Sequence, residues 1–185
     1  MSADSTGKIL VAGIGNIFLG DDAFGSELAR RLLTRPWPCS VRVEDFGIRG
    51  FDLTFALMDG YDVVILLDAT SRGGNPGTLY TIEPDLSELD RLTPGAATVE
   101  THGMNPMRVL AVARTMGAEF RQLYLIGCEP SPETIDPDGP GYMGLSDPVR
   151  GALDEAVNIV ETLVAQSTGR SLKWEKPQES SAEWC

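Results

Sequence analysis

The sequence predicts an α/β fold, in which a single domain has a central twisted, mostly parallel sheet of about five strands flanked by helices. Short apolar runs alternate along the chain with segments of helical periodicity, as in sheets whose strands are joined by covering helices. The run DVVILLD at 62–68 has a wholly apolar interior, which is typical of a central strand buried on both faces. With 185 residues and 42% hydrophobic content, the chain can form one sizeable core. We therefore expect one domain over 1–166 and a polar, mobile tail over 167–185.

The strands are predicted from apolar runs, and they fall at 8–14, 40–46, 62–68, 77–83 and 122–130. The helix after the first strand places Phe24, Leu28 and Leu32 on one face, which should pack on the sheet. Glu27 precedes Arg31 by four residues and is expected to pair with it.

The remaining helices are predicted from turn residues and periodicity. A short helix follows the second strand and ends at Gly60. The segment 84–101 is polar and irregular, whereas 102–117 predicts a helix. A loop rich in proline and glycine at 132–144 precedes the final helix, for which Ser146 is a suitable N-cap.

The charge composition disfavours two classes of partner. The chain has 27 acidic and 15 basic residues and a net charge of −12, which would repel nucleic acid and anionic membrane surfaces. It has no apolar run of about 20 residues and no export signal, so a cytoplasmic protein is expected. The three cysteines lack the spacing of a zinc site or a disulfide framework, which fits a reducing compartment.

The opening stretch VAGIGNIFLGDDAFG at 11–25 has the layout of a phosphate-binding turn but the wrong residues for one. The dinucleotide fingerprint requires a glycine where Phe18 stands, and the lysine of a Walker motif is absent. Asp21 and Asp22 at a helix start would repel a phosphate. The loop therefore favours a cation, and nucleotide binding is the least supported hypothesis.

Polar residues follow several predicted strands, at the sheet edge where ligands of open α/β folds bind. They are Asp21, Asp22, Asp45, Asp68 and Glu129, and Gly47 also follows the second strand. The one histidine, His102, precedes a predicted helix. Two carboxylates and an imidazole would suit a borderline divalent ion such as nickel or zinc, with positions left open for substrate. The alternative is that each residue is an ordinary cap, turn or surface residue.

Several motifs together resemble the hydrogenase maturation protease family. They are GIGNIFLGDDAFG, DFGIRG, LLDAT, a histidine before a helix, and CEP followed by GLS, in the family's order over 9–164. The resemblance implies an endopeptidase that removes the C-terminal peptide of a nickel-iron hydrogenase large-subunit precursor after nickel insertion. It also implies an α/β fold with a central twisted sheet.

The resemblance implies that Asp22, Asp68 and His102 are both the metal ligands and the catalytic residues. Asp21 matches a neighbouring acid and is a possible further catalytic residue. Nickel would arrive with the substrate as a recognition element, no organic cofactor is expected, and the peptidase would be of an aspartic, metal-directed type. Ala23 departs from the glycine that many members carry, which should be harmless.

The resemblance also implies a substrate-binding loop that contains Gly47 and Gly50, and Asp45, which precedes the loop, is expected to be a further substrate-binding residue. An alternative function is a non-proteolytic nickel carrier or assembly scaffold that uses the same three ligands without cleavage. Cys128 ends a strand near the proposed site, but burial and the neighbouring Glu129 should raise its thiol pKa and favour a structural role.

Overall fold

The computed structural model describes residues 7–91, 105–136 and 142–169. The strands of this part are β1 (Ile9–Ile14), β2 (Val41–Gly47), β3 (Val63–Ala69), β4 (Leu79–Ile82) and β5 (Gln122–Cys128). Its α-helices are α1 (Phe24–Leu33), α2 (Gly50–Leu57), α3 (Leu86–Arg91), α4 (Pro106–Thr115) and α5 (Asp147–Thr168). Two short 3-10 helices, Gly20–Ala23 and Pro132–Thr134, complete the described elements.

The five strands form one sheet in the order β2-β1-β3-β5-β4. The pairs β1–β2, β1–β3 and β3–β5 are parallel, and β4 pairs with β5 in the antiparallel direction at the edge. The predicted α/β fold with a mostly parallel five-stranded sheet is confirmed. The apolar strand β3 lies at the centre, as its composition predicted.

Helices cover both faces of the sheet because alternate strand residues point to opposite sides. Ile9 and Val11 of β1 join a buried cluster with α1 and α5. Leu10 and Ala12 join a second cluster with α2, α3 and α4. Phe24, Leu28 and Leu32 are all fully buried in the first cluster, which confirms the predicted inner face of α1. No helix of the described ranges is long and apolar enough to cross a bilayer.

The ion pairs on α1 differ from the predicted pair of Glu27 with Arg31. Glu27 Oε1 instead accepts from Arg30 at 2.9 Å, three residues along the helix. Arg31 reaches across to Asp154 of α5. Tertiary packing of α5 against α1 therefore decides the partner, and local spacing does not.

The helical boundaries also correct the sequence prediction. Helix α3 occupies part of the segment 84–101 that was expected to be irregular, and 92–101 lies outside the described residues. Helix α4 begins at Pro106, where Asn105 Oδ1 accepts from the Met107 and Arg108 N–H groups. Helix α5 continues to Thr168, and the remainder of the predicted tail from 170 onward lies outside the described residues. Cys39 is disulfide-bonded, which the cysteine spacing did not predict.

Helix α1 approaches the sheet closely through two glycines. A Cβ atom on Gly25 would lie 2.0 Å from the Leu67 carbonyl oxygen and 2.3 Å from that of Ile14. A Cβ on Gly13 would lie 2.5 Å from the Ala29 Cβ and from the Gly25 carbonyl oxygen. Only glycine lets the helix start lie directly on the ends of β1 and β3.

We predict that Gly25→Ala lowers the free energy of unfolding by about 3 kcal/mol, because the new methyl group would meet backbone carbonyls that cannot move aside. Gly151→Ala is the matched control, since Gly151 is an exposed residue of α5 whose Cβ would enter open space. That control should instead raise the free energy by about 0.5–1 kcal/mol. Urea unfolding measures both variants. Equal stability of the Gly25 variant and the wild type would disprove the close approach.

Candidate active site at the carboxyl edge of the sheet

Two carboxyl side chains come together at the carboxyl ends of the central strands. Asp68 is the next-to-last residue of β3, and Asp22 belongs to the 3-10 helix Gly20–Ala23 that follows β1. β1 and β3 are parallel neighbours, so both residues lie at the same edge of the sheet. The two side chains are partly buried. The charge of Asp22 contributes to the raised pKa of Asp68, as expected for neighbouring carboxylates.

The turn after β1 folds around the Asp22 carboxylate. The Asn16 N–H donates to Asp22 Oδ2 at 2.7 Å, and Asn16 Oδ1 in turn accepts from the Phe18 N–H at 3.0 Å. Gly15 has φ +141°, and a Cβ there would lie 1.8 Å from the Asp22 carbonyl oxygen. The glycine is therefore required for the turn that brings Asn16 onto the carboxylate.

Both carboxyl groups have pKa values above the ordinary aspartate range. Burial raises the pKa of Asp22, and the hydrogen bond from Asn16 acts in the opposite direction. The pKa of Asp68 is raised well above its usual value, first by burial and then by the charge of Asp22, against a backbone hydrogen bond from Ala69. A pair of this kind favours a bound cation or a held proton, since either relieves the repulsion.

Asp21, the neighbouring acid, has a different environment. Its side chain is fully buried. Oδ1 accepts from the Ser146 N–H at 2.7 Å, and Oδ2 accepts from the Ser131 N–H at 2.9 Å and the Ser146 hydroxyl at 2.8 Å. Asp21 therefore fixes the structure beneath the pair, and its catalytic role stays a prediction.

The predicted substrate-binding loop lies beside the same turn. The Gly15 N–H donates to the Gly47 carbonyl at 3.1 Å, and Gly47 has φ +55°. Asp45 Oδ1 accepts from the Gly47 N–H at 3.0 Å, and its Oδ2 accepts from Arg30 at 3.1 Å. Gly50 begins α2, so the loop between β2 and α2 borders the carboxylate pair. Substrate binding by these residues stays a prediction.

Glu129 organises the loop after β3, a function that sequence reasoning did not identify. Its buried carboxylate accepts from the Arg72 N–H at 2.8 Å, the Gly73 N–H at 3.1 Å and the Tyr80 hydroxyl at 2.7 Å. The Tyr80 bond is the largest of the causes that lower its pKa. These partners lie 49–57 residues away, so neither the CEP motif nor the place of Glu129 after a predicted strand indicated this role.

The Cys128 thiol has the structural environment that the sequence indicated. It is fully buried, and burial raises its pKa to about 12, with further contributions from the charges of Asp21 and Glu129. A thiol with this pKa is almost wholly protonated at neutral pH and is a poor nucleophile.

His102, the third predicted ligand and catalytic residue, lies outside the described residues. Within the described ranges, no group of three or more His, Cys, Asp and Glu side chains is arranged to hold a metal ion. The structure thus brings Asp22 and Asp68 together, whereas the three-ligand set stays a prediction.

Fold and site together define an α/β protein with a pair of carboxylates at the edge of a parallel sheet. The family model described as HycI, hydrogenase maturation protease, matches residues 24–163. The hydrogenase expression/formation protein HupM of Azotobacter chroococcum mcd 1 is 34% identical over 163 residues, with 88% of this chain and 74% of that protein covered.

Solved structures agree with this match. The hydrogenase maturating endopeptidase HybD of Escherichia coli is 27% identical with a TM-score of 0.69, over 86% of this chain and 93% of that one. A hydrogenase 2 maturation peptidase from a Thaumarchaeota archaeon is 30% identical with a TM-score of 0.64, over 85% and 98% of the two chains. The chain belongs to the hydrogenase maturation protease family. It is a peptidase of that family, and the predicted resemblance is confirmed.

We predict that Asp68→Asn stabilises the protein near pH 7 and has little effect near pH 3. A carboxyl group whose pKa is raised by folding stabilises the folded state below its unfolded pKa of 3.8, and this contribution is lost as the pH rises through the folded pKa. Removing the charge should therefore raise the melting temperature at neutral pH by about 2–4 °C, corresponding to about 1 kcal/mol. Thermal denaturation from pH 3 to pH 8 measures the difference. A difference independent of pH would show that charge is not its cause.

Proposed function

We propose that the protein is a cytoplasmic endopeptidase that removes the C-terminal extension of a nickel-iron hydrogenase large-subunit precursor after nickel has been inserted. The single observation that carries this proposal is the pair of partly buried carboxylates, Asp22 and Asp68, at the carboxyl edge of the sheet of a hydrogenase maturation protease. The similar proteins described above are connected by name with hydrogenase formation and maturation.

In this proposal nickel is part of the substrate and serves for recognition. Asp22 and Asp68 supply two oxygen ligands, and His102 supplies the nitrogen ligand of a set that suits a borderline divalent ion. The raised pKa values support this assignment, because a cation between the carboxylates would offset the cost of placing two negative charges together. A precursor without nickel would leave that cost in place and would bind less tightly.

Hydrolysis then requires that the scissile peptide and a water molecule lie beside the pair. Recognition of the metal orients the substrate, and orientation alone can provide a large part of the decrease in the activation barrier of hydrolysis. A carboxylate beside the scissile peptide can accept a proton from the attacking water and return it to the leaving amine. Both proton transfers are within the chemistry of aspartate at this site.

Exposed apolar side chains around the pair support a polypeptide substrate. Phe18 is 69% exposed in the turn that binds Asp22, and Ile48 is 63% exposed next to Gly47. Met143 is 73% exposed beside Tyr142, whose carbonyl accepts from the Gly20 N–H at 2.8 Å. These side chains lie on three segments that border one site, so a protein surface or extended chain could bury them together.

We predict that Asp22→Asn, Asp68→Asn and His102→Ala each abolish shortening of a nickel-loaded precursor. The amide variants keep the shape of the side chain but remove the charge that binds nickel and accepts protons. Asp62→Asn is the matched control, because Asp62 immediately precedes β3 at the opposite edge of the sheet. Mass spectrometry of the purified large subunit after incubation detects the lost peptide.

Unchanged processing by Asp22→Asn or Asp68→Asn would disprove the site assignment. A wild-type protein that binds nickel tightly by calorimetry and leaves the precursor at full length would instead support the carrier or scaffold alternative.

We also predict that Phe18→Ala and Ile48→Ala raise KM for the precursor by about tenfold each and leave kcat unchanged, since about 1.4 kcal/mol of apolar contact would be lost on binding. Leu33→Ala is the control, because Leu33 is 53% exposed at the far end of α1. Steady-state kinetics separate the two constants. An equal effect of all three substitutions would rule out a specific binding surface around the site.

A further inference from the structure

We propose that Asp21 is a positioning residue, which holds Asp22 in place relative to Asp68 by joining the turn after β1 to the start of α5. This inference rests on the proposed function for its kinetic readout. Asp21 does not touch substrate, because its side chain is fully buried beneath the site. Its effect on the reaction must therefore pass through the backbone of the 3-10 helix that it shares with Asp22.

The Asp21 carboxylate is bonded to three donors from two distant segments. Ser131 follows β5, and Ser146 precedes α5, at sequence separations of 110 and 125 residues from Asp21. Both carboxylate oxygens are used, since Oδ1 accepts from the Ser146 N–H and Oδ2 accepts from the Ser131 N–H and the Ser146 hydroxyl. Hydrogen bonds to a buried, ionised acceptor are shorter and stronger than those between neutral groups.

Further bonds tie the same turn to the same segments. The Gly20 N–H donates to the Tyr142 carbonyl at 2.8 Å. A Cβ on Gly20 would lie 2.3 Å from the Thr134 carbonyl oxygen, so the turn and the 3-10 helix Pro132–Thr134 are in direct backbone contact. The Thr134 hydroxyl donates to the Ser131 carbonyl at 2.8 Å, which fixes that segment in turn.

We call the bonds of Asp21 to Ser131 and Ser146 the junction. The side chain of Ser146 takes part in this junction and not in helix capping. Ser146 occupies the N-cap position of α5, as predicted, but it makes no side-chain capping bond. Its hydroxyl donates to Asp21 instead. The 22-residue helix α5 is buried along one side against the sheet, so Asp21 attaches the turn to a rigid element.

The hydrogen bonds that Asp22 itself makes lie within its own turn and do not attach it to the rest of the fold. Its N–H donates to the Leu19 carbonyl at 3.0 Å within the same turn, and its side chain accepts from Asn16, also of the same turn. The turn as a whole is therefore positioned by Asp21 and by the glycine contacts of α1. A displacement of about 1 Å between catalytic groups can reduce a rate by about a hundredfold.

The test compares full-length wild type, Asp21→Asn and Ser146→Ala in cleavage of a nickel-loaded precursor. Asparagine has the shape of aspartate, but its amide would place N–H groups opposite the Ser131 or Ser146 donors. We expect Asp21→Asn to lower kcat by about a hundredfold and also to raise KM, since a displaced Asp22 would be a poorer ligand for the nickel of the substrate. Ser146→Ala loses only the hydroxyl bond, and we expect a smaller but measurable decrease in kcat, of about three- to tenfold.

Val157→Ala controls for a purely structural effect. Val157 is buried in the same helix within the α1–α5 core, so its truncation destabilises the fold without touching the junction. We expect it to lower the melting temperature and to leave kcat unchanged. Wild-type kcat in a folded Asp21→Asn variant would overturn the inference, as would an equal loss of kcat in Val157→Ala. If Asp21→Asn fails to fold, Ser146→Ala decides the question in the same way.

Crystal structures of wild type and Ser146→Ala provide a readout that does not depend on cleavage. We expect the distance between the Asp22 and Asp68 carboxylates to change in the variant. An unchanged distance would overturn the inference, even if the wild type proved not to cleave the precursor. Failure of the proposed function is seen separately, as a wild-type protein that leaves the precursor at full length.

Discussion

The close contact between the start of α1 and the ends of β1 and β3 is the constraint on which the site depends. Gly25 lies against the carbonyl oxygens of Ile14 and Leu67, a place that no side chain could occupy. On the sheet side, Gly13 lacks the Cβ atom that would collide with Ala29 and with the Gly25 carbonyl of the helix. With α1 seated this closely, the short 3-10 helix before it comes over the carboxyl edge of the sheet. Asp22 then lies close enough to Asp68 for its charge to raise the pKa of Asp68.

Four acidic residues near this edge have two different functions, and hydrogen bonding distinguishes them. Asp21 and Glu129 each accept three hydrogen bonds from backbone or hydroxyl donors, so their charges are satisfied within the fold. Asp22 and Asp68 each have one backbone donor among the causes that act on their pKa, and burial outweighs it. Groups whose charge the fold leaves poorly compensated are the ones suited to bind a cation or to transfer a proton.

Much of the fold could be predicted because it follows from local sequence patterns. The apolar strand β3 and the buried face of α1 follow from periodicity alone, and the strand ends locate Asp22 and Asp68 at one edge. Features that depend on distant partners could not be read in this way. Arg31 pairs with Asp154 across 123 residues, where the local spacing indicated Glu27.

The same limit applies to the site. Asp21 and Asp22 are adjacent and chemically identical, so the sequence offered no means to separate the structural acid from the partly buried one that faces Asp68. Their difference arises from Ser131 and Ser146, whose approach to Asp21 depends on the whole sheet. Ser146 was identified correctly as the residue before α5, but its hydroxyl serves a tertiary contact in place of the local cap.

The junction at Asp21 also links the site to a distant connection of the chain. Ser131 and Ser146 are fifteen positions apart, and one side chain holds both ends of the connection between them. Thr134 and Tyr142 lie within that connection, and both contact Gly20 of the turn that carries Asp22. Replacements that displace either residue should therefore alter the chemistry at the sheet edge, so this stretch cannot diverge freely to suit a new protein partner.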